Sequence, residues 1–276
     1  MAKHLSALRK WVQSPAWFWA FIIALSICIA VYLVNTLFSE AHPYTIWGIG
    51  YGIAATLLMV GAAMWAVRRR TMSIAPSRSQ NWVQFHVYGG TLFFVLVLMH
   101  TGFHLPSGTL AWWLFGLTIL VALSGIVGVC LQKTIPRILT SGLSIEVHFQ
   151  RIPELIQEVH KKADELVQTC PDSIRDFYRK ELAGSFSGPQ FRPIYFIDIT
   201  GGIQSRMKQF DYLRRFLSAE EKEKLNQLQA LYKSKLEMDA HYTLQKILKI
   251  WLFFHIPVSL ILLVLVGLHL YAVLFY

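Results

Sequence analysis

The apolar residues of this chain gather into long runs, separated by short polar breaks and by one extended polar stretch. Residues 17–38, 45–67, 82–103, 109–131 and 247–276 form five such runs, each long enough to cross about 30 Å of hydrocarbon as an α-helix. In the polar stretch, about residues 132–245, the pattern changes. Ile152, Leu155, Ile156, Val159 and Leu166 recur at helical spacing within 143–182, and a break is expected near Pro171. Tyr195, Ile197 and Ile199 alternate within 193–200 ahead of Gly201 and Gly202, which predicts a short strand and turn. Ser218 followed by Glu221 forms a capping-box pattern that opens a helix through Leu225, Leu228, Leu231 and Leu236, and this helix can continue into the fifth apolar run. The expected fold is an all-α integral membrane protein. Five transmembrane helices form a bundle, four within 1–131 and the fifth in 246–276, with a mostly helical insert at 132–245.

Composition supports the membrane assignment: 54% of residues are hydrophobic and 15% charged, outside the range of a soluble domain of this length. The formal net charge of +10 does not point to nucleic acid, because the insert is close to balanced. Much of the excess sits at the membrane edges, on Lys3, Arg9 and Lys10, on Arg68, Arg69, Arg70 and Arg78, and on Lys133 and Arg137. Loops 39–44 and 101–108 hold no Lys or Arg. The positive-inside rule then places the amino terminus and the insert in the cytoplasm and the carboxy terminus outside. The first run is longer than a signal-peptide core and no small-x-small cleavage site follows it, so it is expected to remain as an anchor.

Inside the third and fifth runs lie two histidine pairs with one interval: His86 and His100, and His255 and His269, each fourteen residues apart. On an α-helix fourteen residues turn through about 1400° and rise about 21 Å, so each pair marks one face at two depths. A single histidine on an apolar helix is more often a packed core residue than a ligand. Four at matched spacing inside hydrocarbon are another matter, because ionisable groups there are costly and usually functional. A haem held by two axial histidines needs one imidazole from each of two helices. Both spans are odd-numbered and run parallel, which pairs His86 with His255 at the inner level and His100 with His269 at the outer level.

Two other histidines compete. Continued as a helix, the third span would put His104 one turn beyond His100 on the same face, although its counterpart on the fifth span is Val273. His241 also precedes His255 by fourteen but lies in the charged segment 233–249. Gly89 and Gly90, three and four residues after His86, strip side chains from a face that a flat macrocycle could approach; helix packing accounts for them equally well. Ser124, Gly125 and Gly128 fit helix contact, and Pro257 is either a kink or tolerated. Cys28, Cys130 and Cys170 are scattered, with no C-x-x-C-H, so any haem is held noncovalently and iron–sulfur ligation by this chain is not expected. The insert offers no metal-ligand cluster and no glycine-rich phosphate loop. It is either a cap bracing the fifth helix or a docking surface for another subunit.

The His-x13-His pattern on two membrane helices resembles the di-haem cytochromes b of respiratory and photosynthetic quinol-oxidising complexes and related bacterial electron-transfer subunits. The resemblance covers the third and fifth spans. Two departures set the chain apart from the bc type: it lacks a Pro-Glu-Trp-Tyr motif, and the long insert precedes the second ligand helix. The resemblance implies a subunit of a quinone-linked oxidoreductase complex in the bacterial cytoplasmic membrane. Such a subunit carries two noncovalent haems b, ligated by His86 and His255 and by His100 and His269, and passes electrons between a quinone pool and a partner redox protein of iron–sulfur, flavin or c-type cytochrome kind. Arg68, Arg69, Arg70, Arg78, Lys246 and Lys249 are the cations expected near inner-haem propionates. Glu40, His42 and His104 are the carboxylate and imidazole groups of the outer loops, and so the candidate proton carriers of an outward quinone site. The other readings are a histidine-lined proton or metal transporter and a noncatalytic membrane anchor.

Overall fold

A computed structural model describes residues 15–39, 42–71, 76–142 and 148–275, with side chains described outside residues 15, 65–80 and 140–142. The described chain is helical, with no strand among its elements. The helices are α1 (Pro15–Phe38), α2 (Ile46–Thr71), α3 (Pro76–His100), α4 (Thr109–Gly142), α5 (Ile152–Gln168), α6 (Asp172–Phe177), α7 (Ala183–Phe186), α8 (Ile194–Ile197), α9 (Ile199–Arg214) and α10 (Ala219–Phe275). Among them α1, α2, α3, α4 and α10 contain the five stretches long and apolar enough to cross a membrane.

The chain divides into two compact units, residues 1–129 with 253–276, and residues 130–252. In the first, α3 packs against both α1 and α2, and the α2–α3 contact is the more extensive. Its core is small: Tyr51, Ala55, Phe93, Leu96, Met99 and Leu262 are buried. Much of the rest of its apolar surface faces outward, as Leu37, Phe38, Ile46 and Leu57 do. That inversion suits helices whose solvent is lipid, where every backbone polar group is satisfied inside its own helix. α3 ends at His100 in a turn that sets Gly102 and Phe103 in left-handed backbone, with the Phe103 N–H donating back to Leu98 O at 2.9 Å. The expectation that His104 continues the helical face of His100 is therefore corrected: it lies beyond the helix end.

The second unit has a conventional core of Ile174, Leu182, Phe186, Tyr195, Phe210, Leu225, Leu228, Tyr232 and Leu236. α5 stops before Pro171, as the sequence predicts. The capping box opening α10 also forms: the Ser218 N–H donates to Glu221 Oε2 at 2.8 Å and the Glu221 N–H to Ser218 Oγ at 3.4 Å. From there α10 runs without interruption through Pro257 to Phe275. The strand expected at 193–200 is absent. Tyr195, Ile199 and Ile203 are buried whereas Ile197 is 83% exposed, a spacing of four and so a helical face. Asp198 separates α8 from α9 and caps the latter by accepting from the Gly201 N–H at 2.7 Å. A Cβ at Gly201 would meet the Asp198 carboxylate at 2.1 Å, so any other residue there obliges that side chain to shift.

Lys235 and Asp239, one turn apart on α10, are fully buried and paired at 2.5 Å. Burial lowers the Lys235 pKa and raises that of Asp239, both against the attraction between them. The second Asp239 oxygen accepts the Gln190 N–H at 2.9 Å, and Thr243 Oγ1 accepts the Arg192 N–H at 3.0 Å. These bonds pin segment 190–192 along α10.

Candidate haem-ligand pairs

His86 on α3 and His255 on α10 face one another, with ring centroids 6.4 Å apart and planes 78° apart. Two imidazoles bound on opposite sides of one metal ion, each at about 2.0–2.1 Å, hold their centroids about 6.3–6.5 Å apart. The separation suits two imidazoles held by one metal ion, and it also lies within the range of an edge-to-face ring pair.

Hydrogen bonding fixes which nitrogen each ring presents. His86 Nδ1 donates to Ala62 O at 3.2 Å and His100 Nδ1 to Gly48 O at 2.8 Å. A carbonyl can only accept, so Nδ1 carries the proton and Nε2 keeps the lone pair a metal needs. Both acceptors belong to α2. They recede along it by fourteen residues while the histidines advance along α3 by fourteen, so two antiparallel helices repeat one arrangement at two depths. His255 is oriented by α4: Ser124 Oγ donates to Val121 O at 2.9 Å and lies 2.6 Å from His255 Nδ1, which leaves the hydroxyl oxygen to accept the imidazole N–H. Tying the remote ring nitrogen in this way is the usual outer-shell support of a metal-bound histidine. His269 lies within electrostatic reach of His100.

Glycine lets the α2 carbonyls approach. A Cβ on Gly52 would stand 3.0 Å from His100 Nδ1 and 3.1 Å from its Cε1, and one on Gly48 only 2.2 Å from His42 O. The Gly48-x3-Gly52 spacing was the available sequence signal for this contact. The bonding partners Ala62, Gly48 and Ser124 were not legible as such. A Cβ on Gly89 would be in ordinary contact with the Phe85 and Leu58 side chains, which is helix packing, whereas a Cβ on Gly90 meets nothing within 4 Å and leaves open space four residues after His86.

The remaining candidates fall elsewhere. His42 and His104 stack, with centroids 6.0 Å apart and planes 24° apart. Glu40 lies outside the described residues, as do the side chains of Arg68, Arg69, Arg70 and Arg78. Lys246 sits in the second unit, its ammonium 3.2 Å from Tyr242 Oη and over the Phe191 and Tyr242 rings, while Lys249 covers the Phe149 ring. His241 is buried in that unit. Among the described residues no group of three or more His, Cys, Asp or Glu converges as a bare metal site. The histidines come in twos, which suits a cofactor that brings its own four equatorial nitrogens. No family model, characterised protein or solved structure matches the chain.

Proposed function

We propose that this chain is a di-haem cytochrome b that carries electrons across the bacterial cytoplasmic membrane, linking a quinone pool to a partner redox subunit. The 6.4 Å opposition of His86 and His255 carries the reading, supported by Nδ1–H bonds that turn Nε2 of each ring toward a ligand. His100 and His269 form the second pair, fourteen residues or about four helical turns away. Bound haem supplies the one-electron chemistry. The protein supplies axial imidazoles, an apolar surround that excludes water, and hydrogen bonds that set ligand basicity. With the amino terminus in the cytoplasm by the positive-inside rule, the first pair lies toward the inner face. The stacked His42 and His104 then lie at the outer face, where they and Glu40 are the groups able to take protons from a quinol.

The test is optical. The purified chain should give reduced-minus-oxidised α and Soret bands of a b-type haem, and a pyridine haemochrome yield of two haems per chain. His86→Ala and His255→Ala should each lose the same haem, and His100→Ala and His269→Ala the other. A folded protein without haem refutes the proposal, and loss of the first haem from His269→Ala refutes the pairing. Unchanged quinol-dependent reduction and pH dependence in His104→Gln and Glu40→Gln, with both haems retained, would remove the outer quinone site.

A further inference from the structure

Residues 190–192 advance along α10 toward its apolar half. Gln190 is bonded at the level of Asp239 and Arg192 at the level of Thr243, and the Phe191 ring lies under the Lys246 ammonium at 5.3 Å. Lys246 immediately precedes the run that begins at Ile247, and four further residues of helix, to Ile250, rise only about 6 Å. Large apolar side chains of residues 191–197 are nevertheless uncovered. Phe191 is 41% exposed, Ile194 51% and Ile197 83%, while Tyr195 between them is buried in the core. On the same stretch of α10, Lys249 covers the Phe149 ring at 3.5 Å, and that ring stacks on Tyr242. Aromatic rings and lysines within one or two turns of the start of a membrane span, joined through Phe191 to the exposed Ile194 and Ile197, make the composition of a headgroup interface.

We propose that residues 191–197 form an interfacial wedge. Phe191, Ile194 and Ile197 insert at the boundary between headgroups and acyl chains, and Lys246 and Lys249 face the lipid phosphates. The occupant of this exposed patch is the bilayer that α10 enters, and the wedge holds the second unit against that surface. This inference does not depend on the haem reading.

A second exposed aromatic pair in the same unit provides an internal control. Tyr212 and Phe216 are also largely exposed. Neighbouring Arg214 bonds Asn226 and Gln229 at 2.7 and 2.6 Å, and Gln229 lies about 26 Å along α10 from Lys246. The full chain is reconstituted in phospholipid nanodiscs with an aryl diazirine dissolved in the acyl region, photolysed, and mapped by peptide mass spectrometry. Carbene adducts on the peptide spanning 191–197 should exceed those on the peptide spanning 212–216 at least ten-fold. The doubly substituted Ile194→Asp, Ile197→Asp chain, changed only at exposed positions, should lose the adducts on Phe191 while keeping those on α10. Equal labelling of the two peptides, or none on 191–197, overturns the proposal. So does labelling that appears in the bilayer but is unaffected by the double substitution.

Discussion

Gly52→Ala separates the geometry of the His100 pocket from helix propensity in general. A methyl at Gly52 would stand 3.0 Å from His100 Nδ1, whereas ordinary contact begins at 3.4 Å. The imidazole must therefore retreat by at least 0.4 Å from an α2 backbone whose Gly48 carbonyl it now bonds at 2.8 Å. Overpacking of this kind costs about 1–3 kcal/mol, and loss of the hydrogen bond a further ~0.5–1.5 kcal/mol. Gly50→Ala, two residues away on the same helix, is the control. Its Cβ meets nothing within 4 Å, so helix propensity alone should stabilise it by about 0.5–1 kcal/mol. The assay combines thermal unfolding with redox titration of the two proposed b-type haems. Gly52→Ala should unfold earlier than Gly50→Ala and should shift or lose only the haem assigned to His100 and His269. Equal stability of the two variants would refute the packing argument. Lower stability with both potentials unchanged would keep the packing and sever His100 from the cofactor.

Ser124→Ala removes the acceptor of the His255 N–H. It should move the potential of the haem proposed at His86 and His255 alone, by about 1 kcal/mol of ligand interaction or ~40 mV for one electron, as read by potentiometric titration. Lys235→Met and Asp239→Ala each strand one member of a fully buried pair and should cost the second unit about 3–5 kcal/mol in pulse proteolysis. The double variant Lys235→Met, Asp239→Asn, which keeps an acceptor for the Gln190 N–H, should recover most of that loss. Hydrogen bonds from Ser218 hold the Glu221 carboxyl below its ordinary range, so the cap of α10 contributes fully above the unfolded value near 4.5 and is lost as pH falls through the lower folded one. Hydrogen exchange at the first turn of α10 should therefore accelerate with acid relative to the unfolded-chain rate, and this acid response should be absent in Glu221→Gln.

What the sequence determined is what short-range chemistry encodes. Five long apolar runs specify spanning helices, because hydrocarbon leaves the backbone no other partner. Ser218 and Glu221 specify a helix start, Pro171 a break, and the fourteen-residue interval two levels on one face. Where local pattern was ambiguous it misled: the alternation of Tyr195, Ile197 and Ile199 fits a strand over three positions, yet burial of Tyr195, Ile199 and Ile203 shows a helical face. Extending α3 to His104 failed for a similar reason, since Gly102 and Phe103 turn the chain after His100. The parallel run of the third and fifth spans already paired the imidazoles; only the tertiary structure decided what orients them. The acceptors for His86 and His100 are the main-chain carbonyls of Ala62 and Gly48. Every residue carries a carbonyl, so no residue type marks the one that will be used; the packing of α2 on α3 selects it.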